Sequence, residues 1–197
     1  MSEKMTGYPS IDKPWLKYYE ENVVNAEIPC LTMYDYLVKG CKKNIQQTAI
    51  RFFGKEINYE TFLENIDRTA IAFSDIGVCE GDIVSIISLS SPETVASIYA
   101  LNRIGAVACM EYVTQTPESL LRALTLTGSK VVLILDVFLA QYKEELLSSS
   151  VEKIIVLAAN DSFPFATKIL YQIKQPRISL ESNFVCGIYL FSICPKT

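Results

Sequence analysis

Apolar residues recur along this chain with two alternating periods. Tyr59, Phe62, Leu63, Ile66, Ala70 and Phe73 are spaced i, i+3, i+4, i+7, i+11 and i+14, which lines one face of a helix. Asn58 stands where its cap belongs, and Gly77 where a left-handed residue ends it. The next apolar run, Ile83–Leu89, is continuous and β-branched, as expected of a strand buried on both faces. Ser91 then caps a helix whose first turn takes Pro92. Val95, Ile98 and Tyr99 share one face of it, and Gly105 stops it. Ala106–Tyr112 reads as another strand. Thr116-Pro117-Glu118 opens a helix with the same logic of cap then proline, ending near Gly128. Lys130–Leu135 is a strand, Phe138, Leu139, Tyr142 and Leu146 mark a helix, and Ile154–Ala158 is a strand.

Strands separated by helices of this length pair parallel, through right-handed crossovers. The fold class is therefore α/β: an open, mostly parallel sheet with helices on both faces. Ahead of it, Thr48–Phe53 and Glu56–Asn58 flank Gly54-Lys55 and predict a β-hairpin with a tight turn. Thr32 caps a helix running to about Lys43, with Asp35 at the third position and Leu31 and Tyr36 spaced for a hydrophobic staple.

Three segments follow from this pattern. Residues 1–30 are expected as an extended arm, broken by Pro9, Pro14 and Pro29 and carrying Trp15, Tyr18 and Tyr19 as anchors. Residues 31–161 hold the α/β subdomain. Residues 162–197 are a tail in which Lys168, Lys174, Arg177 and Lys196 face one acid, Glu181. Phe165–Ile173 is expected as a short helix. From Ser179 the periodicity is lost, and Phe184–Phe191 is an apolar run with no partner strand after it. The sheet is then expected to end at residue 158 with an unpaired edge.

Composition narrows the function. Half of the 197 residues are apolar and a fifth are charged, a globular balance. A net charge of −4 without clustered Lys or Arg argues against a nucleic-acid surface. Cysteines stand at 30, 41, 79, 109, 186 and 194, with no C-x-x-C pair, which points to reduced structural thiols in a cytoplasmic protein. No apolar run follows Met1-Ser2-Glu3-Lys4, so no secretory signal is read there. The longest uncharged apolar stretch, Phe184–Cys194, would span about 17 Å as a helix, too short to cross a bilayer. The chain has no histidine. That removes Ser-His-Asp and Cys-His nucleophilic sites, the H-E-x-x-H metal site and any His general base.

The remaining chemistry-bearing residues read mostly as structure. Gly77 and Gly81 are the closest glycine pair, but their loop joins a helix to a strand and carries Glu80 and Asp82, which repel phosphate. Ser148-Ser149-Ser150 reads as a solvated helix end. Glu144 and Glu145 are adjacent on a helix and do not converge. Asp136, Ser90-Ser91 and Tyr112-Val113-Thr114 lie at the carboxyl ends of strands, where open α/β sheets bind ligands. Asp136 is expected as the cap of the following helix, and the hydroxyls as ordinary strand-end residues. Asn102-Arg103 suits a helix carboxyl terminus as a dipole partner. No catalytic, cofactor-binding or metal residue is assigned.

The order of segments carries a resemblance that no single site does. Thr48–Tyr59, then Ile76-Gly77-Val78, Gly81-Asp82-Ile83-Val84, Ser91-Pro92-Glu93, Tyr99–Val107, Thr116-Pro117-Glu118 and Lys130-Val131-Val132-Leu133 together resemble the N-terminal part of the adenylate-forming superfamily. More narrowly they resemble the bacterial AMP-dependent acyl-CoA synthetases, a group whose arm Gly7–Trp15 also fits. The resemblance covers roughly residues 7–165. It implies a larger enzyme that joins a carboxylate to AMP with ATP and Mg²⁺ and passes the acyl group to CoA. It also implies a Ser/Thr/Gly-rich loop ending in Lys for the ATP phosphates, an acid for the ribose, an aromatic contact for the adenine and a mobile C-terminal domain with its own Lys. None of these occurs here, and Cys109-Met110-Glu111-Tyr112 replaces the prolines common in relatives.

The expectation is an N-terminal acyl-CoA synthetase fragment, inactive alone and binding no cofactor by itself. The alternative is a subunit of a split enzyme, pairing with the missing remainder or with its own copy through the sheet edge and apolar tail. A small flavodoxin-like nucleotide or flavin binder is a third reading, opposed by the missing glycine loop.

Overall fold

The computed structural model describes residues 6–159, Phe163 and Phe184–Cys186. The chain forms two compact units, Met1–Leu31 and Thr32–Thr197.

The first unit corrects the expected extended arm. It contains α1 (Pro9–Asp12), a 3₁₀ turn (Pro14–Tyr18) and α2 (Glu21–Val24). Pro9 and Pro14 do not break these turns; they begin them, because a fixed φ and a missing N–H cost nothing at a first helical position. The Asp12 carboxylate closes the first turn. It accepts the Thr6 and Gly7 N–H groups and the Thr6 hydroxyl, each at 2.8 Å. The Thr6 N–H and then the Thr6 hydroxyl hold the Asp12 pKa below its ordinary value. None of the three turns buries a residue.

In the second unit, α3 (Met33–Cys41) starts at Thr32, whose hydroxyl oxygen accepts the Asp35 N–H at 3.1 Å. The hairpin pairs β1 (Thr48–Phe52) with β2 (Lys55–Asn58), Phe52 facing Lys55. Its turn is Phe53-Gly54, one residue earlier than expected. Both have positive φ, 47° and 81°, as a two-residue hairpin turn with the strand twist demands. Asn58 then caps α4 (Tyr59–Asp75), accepting the Thr61 N–H at 2.9 Å.

A five-stranded sheet follows. β3 (Ile83–Ile87), α5 (Pro92–Arg103), β4 (Val107–Met110), α6 (Pro117–Thr127), β5 (Val131–Leu135), α7 (Asp136–Ser148), β6 (Lys153–Leu157) and β7 (Phe184–Cys186) run in that order along the chain. In space the order is β4-β3-β5-β6-β7, and every pair is parallel. Renumbered within the sheet, this is 2-1-3-4-5, the flavodoxin-like doubly wound order. The expectation that the sheet ends at residue 158 is corrected: β7 pairs β6, with Ile154 facing Phe184. Isolated from any partner in sequence, the run at Phe184 gave no sign of pairing. The short helix expected at Phe165–Ile173 lies outside the described residues, as does most of the tail.

Alternation along the strands divides the core. Val84, Ile86, Val131, Leu133, Leu135, Ile155 and Leu157 pack with Phe62, Ile66, Ala70 and Phe73 of α4 and Ala96, Ala100 and Leu101 of α5. The intervening residues Ile87, Val132, Ile134, Ile154 and Val156 pack with Leu120 and Leu124 of α6 and Leu139, Tyr142 and Leu146 of α7. One sheet thus separates two helical layers, which is why β5 is buried at all five positions.

Candidate functional site

Parallel strands bring all their carboxyl ends to one edge. In a 2-1-3-4-5 sheet the crevice for a ligand opens where the crossovers change face, here between β3 and β5. The sequence placed Ser90-Ser91 and Asp136 at those two ends, and the structure agrees on their location but not on every role.

Beyond β3 the chain leaves the ladder at Ser88, earlier than the expected Leu89. The Ser91 side chain accepts the Thr94 N–H at 3.2 Å, capping α5. Ser88 Oγ and Ser91 Oγ lie 2.8 and 3.1 Å from Thr94 Oγ1, and all three residues are buried. Ser90 is exposed. Glu93, in the first turn of α5, is also buried, at 6% exposure. A cap motif in the sequence signals Ser91; nothing in it signals that Ser88 and Glu93 turn inward.

Asp136 does not cap α7. The helix begins at Asp136 itself, after Leu135, which has no side chain to cap with. The carboxylate instead accepts the Ala159 N–H at 3.2 Å, tying the end of β5 to the segment after β6. A carboxylate in the first turn of a helix is also favoured by the helix dipole.

The segment after β4 is held from two sides. The Tyr142 hydroxyl, fully buried, lies 2.9 Å from both Val113 O and Gln115 O. Gln115 Nε2 donates to Glu111 Oε2 at 3.2 Å. Ser85 Oγ lies 2.8 Å from Ser129 Oγ, and 3.5 Å from Glu111 Oε1 as its donor. These contacts form a polar seam under the sheet edge. The Cys109 thiol also points at Glu111, at 3.7 Å. Burial first, then the Glu111 charge, push its pKa up, so it is a poor nucleophile. Of the named strand-end hydroxyls, Tyr112 and Thr114 are exposed.

The other sequence candidates are structural. Gly77 ends α4 at φ 88°, with the Val78 N–H bonding Phe73 O at 3.0 Å, and the Gly81 N–H donates to Gly105 O at 2.9 Å. Asp82 accepts the Cys79 N–H at 2.8 Å, closing the loop between them. Ser148 and Ser149 donate to Glu145 O and Leu146 O at the end of α7. Arg103 stands in the last turn of α5, where a cation suits the helix dipole, and both residues also reach neighbouring helices: Asn102 Oδ1 accepts the Tyr34 N–H at 2.9 Å, and Arg103 pairs with Asp67. Among the described residues no three His, Cys, Asp or Glu converge to hold a metal ion. No helix among them is long and apolar enough to cross a membrane. Among the described residues the edge presents the hydroxyls of Ser90, Tyr112 and Thr114 to solvent.

The sequence profile of the AMP-binding enzyme family matches residues 37–182. A long-chain-fatty-acid–CoA ligase of Bacillus subtilis is 25% identical over 186 residues, covering 93% of this chain and 33% of the ligase. An acetyl-coenzyme A synthetase of Salmonella typhi is 28% identical over 127 residues, covering 61% of this chain and 19% of the synthetase. The crystal structure of coronafacic acid ligase from Pectobacterium brasiliense superposes with a TM-score of 0.67 at 20% identity, over 82% of this chain and 29% of the ligase. The chain thus spans a third or less of the length of these relatives. With the profile covering most of the doubly wound sheet and its helices, the chain belongs to the AMP-binding enzyme family.

Proposed function

We propose that this chain is the N-terminal α/β portion of a carboxylate–CoA ligase. The parent reaction would join a carboxylate, such as a fatty acid, to AMP and pass the acyl group to CoA, with ATP and Mg²⁺ as the other requirements. The observation that carries this reading is the family match over residues 37–182 in a chain that spans a third or less of the length of its curated relatives. On this reading the phosphate- and metal-holding groups lie in the two thirds of the ligase's length that this chain does not span. On this reading the chain is a cytoplasmic scaffold and is inactive by itself.

A chimera tests it. Residues of this chain replace the matching third of the Bacillus subtilis ligase, and acyl-CoA formation from a long-chain fatty acid, ATP and CoA is measured. The expected result is a folded, active ligase. A chimera that folds by circular dichroism yet forms neither acyl-AMP nor acyl-CoA overturns the proposal.

A further inference from the structure

Among its described residues the first unit is held by local hydrogen bonds but buries no side chain. Asp12 fixes residues 6–12 through three hydrogen bonds, and the Lys13 N–H closes onto Pro9 O at 2.8 Å. Yet Tyr8, Ile11, Trp15, Leu16, Tyr18, Tyr19, Val23, Val24 and Ile28 are all exposed large hydrophobics. Tyr18 is 78% exposed and Tyr19 56%. Ordering a chain costs conformational entropy, and clustered exposed aromatics mark a surface made for contact. The side chains that a binding surface uses most, Trp and Tyr, stand within five residues here.

Two further observations choose the occupant. Residues 1–31 carry Lys4, Lys13 and Lys17 against Glu3, Asp12, Glu20, Glu21 and Glu27, a net of 3 − 5 = −2. That disfavours an anionic lipid surface or a nucleic acid. The match with the Bacillus subtilis ligase covers 93% of the chain, leaving about 14 of 197 residues outside it; residues 16–31 therefore lie within the match wherever it starts. The family profile begins only at residue 37. The Bacillus subtilis ligase thus carries a segment similar to residues 16–31 ahead of the shared domain, together with the two thirds of its length that this chain does not span.

We propose that the aromatic arm, through Trp15, Tyr18 and Tyr19, docks against the later portion of the AMP-binding ligase fold. This rests on the reading of the chain as the N-terminal part of such a ligase. The arm would act as a strap that fastens the first portion of the enzyme to the rest.

Trp15 is the only tryptophan, so 5-fluorotryptophan gives one ¹⁹F resonance from the arm. The labelled chain is mixed with the unlabelled segment of the Bacillus subtilis ligase that follows its matched third, prepared so that it shows folded circular dichroism and a cooperative unfolding transition. Binding is measured by sedimentation velocity and the resonance by ¹⁹F NMR. The expected result is a complex, a shifted Trp15 resonance and binding weakened at least about tenfold by the pair Tyr18→Ser and Tyr19→Ser. A complex with an unmoved resonance and unchanged affinity of the variant overturns the strap and leaves the proposed function standing. No complex with the folded segment overturns the strap, and the activity of the chimera described above then decides whether the proposed function stands. A resonance that shifts on phosphatidylcholine vesicles, or with the concentration of the chain alone, also overturns the proposal, by naming a membrane or a second copy as occupant.

Discussion

Arg103 Nη1 lies 3.1 Å from Asp67 Oδ1, joining the last turn of α5 to the middle of α4. The same oxygen accepts the Tyr34 hydroxyl at 2.8 Å, and the Arg103 guanidinium stands 5.3 Å from the centre of the Tyr34 ring. Asn102 meanwhile satisfies the Tyr34 N–H, one of the donors left free at the start of α3. One carboxylate and one aromatic ring therefore hold three helices together.

This cluster is expected to set an alkaline limit on stability. Burial first, and then the hydrogen bond to Asp67, raise the Tyr34 pKa above its ordinary 10.0. Burial raises that of Tyr142 as well. A group with a raised folded pKa contributes stability that is complete below the unfolded value and is lost as pH climbs through the folded one. Stability should therefore fall above pH 10, and Tyr34→Phe should flatten that fall while lowering stability near neutrality by about 1 kcal/mol. Urea unfolding at several pH values from neutral to strongly alkaline checks this. An equal alkaline loss in the variant and the parent would show that Tyr34 is not responsible.

Gly105 is fixed by space as well as by conformation. At φ +78° a Cβ there would meet Glu80 Cγ at 2.8 Å, whereas at Gly128, φ +64°, it would meet nothing within 4 Å. Gly128→Ala should cost about 1 kcal/mol from the left-handed backbone alone. Gly105→Ala should cost more, about 2 to 3 kcal/mol, because Glu80 must also move. Adding Glu80→Ala should return part of the difference. Thermal unfolding of the three variants measures it, and equal losses for the two glycines would refute the steric account.

Tyr142 is expected to act through its hydroxyl on the 113–115 segment. Tyr142→Phe keeps the packing of α7 on the sheet and removes the donor to Val113 O and Gln115 O. The loss should be about 1 kcal/mol, with faster hydrogen exchange confined to the segment between β4 and α6. Exchange that stays unchanged there would place the anchoring of that segment elsewhere.

Much of the architecture was legible because each element states its own limits. Asn58, Ser91 and Thr116 are caps in sequence and caps in structure, and Gly77, Gly105 and Gly128 carry the positive φ that their positions implied. The period-3.6 stripe of α4 buries Phe62, Ile66, Ala70 and Phe73 as its spacing required, with Thr69 joining them by bonding Asn65 O. What escaped was relational. That Phe184–Cys186 adds a strand beside β6 depends on a partner far away in sequence. That Asp136 serves Ala159 rather than its own helix depends on the register of β5 with β6. The polar seam of Ser85, Glu111 and Ser129 was hidden for the same reason: residues 85, 111 and 129 meet only once three strands lie side by side. At the carboxyl edge the sequence found the right strand ends but not the inward turn of Ser88 and Glu93.

The central proposal is that this α/β unit, which belongs to the AMP-binding enzyme family, is a scaffold portion of a ligase and does not activate a carboxylate by itself. The most direct measurement is ATP–pyrophosphate exchange by the purified chain, with Mg²⁺ and either acetate or a long-chain fatty acid. The account predicts exchange no faster than the protein-free control. Carboxylate-dependent exchange above that control, abolished by no contaminant-removing step, would contradict it.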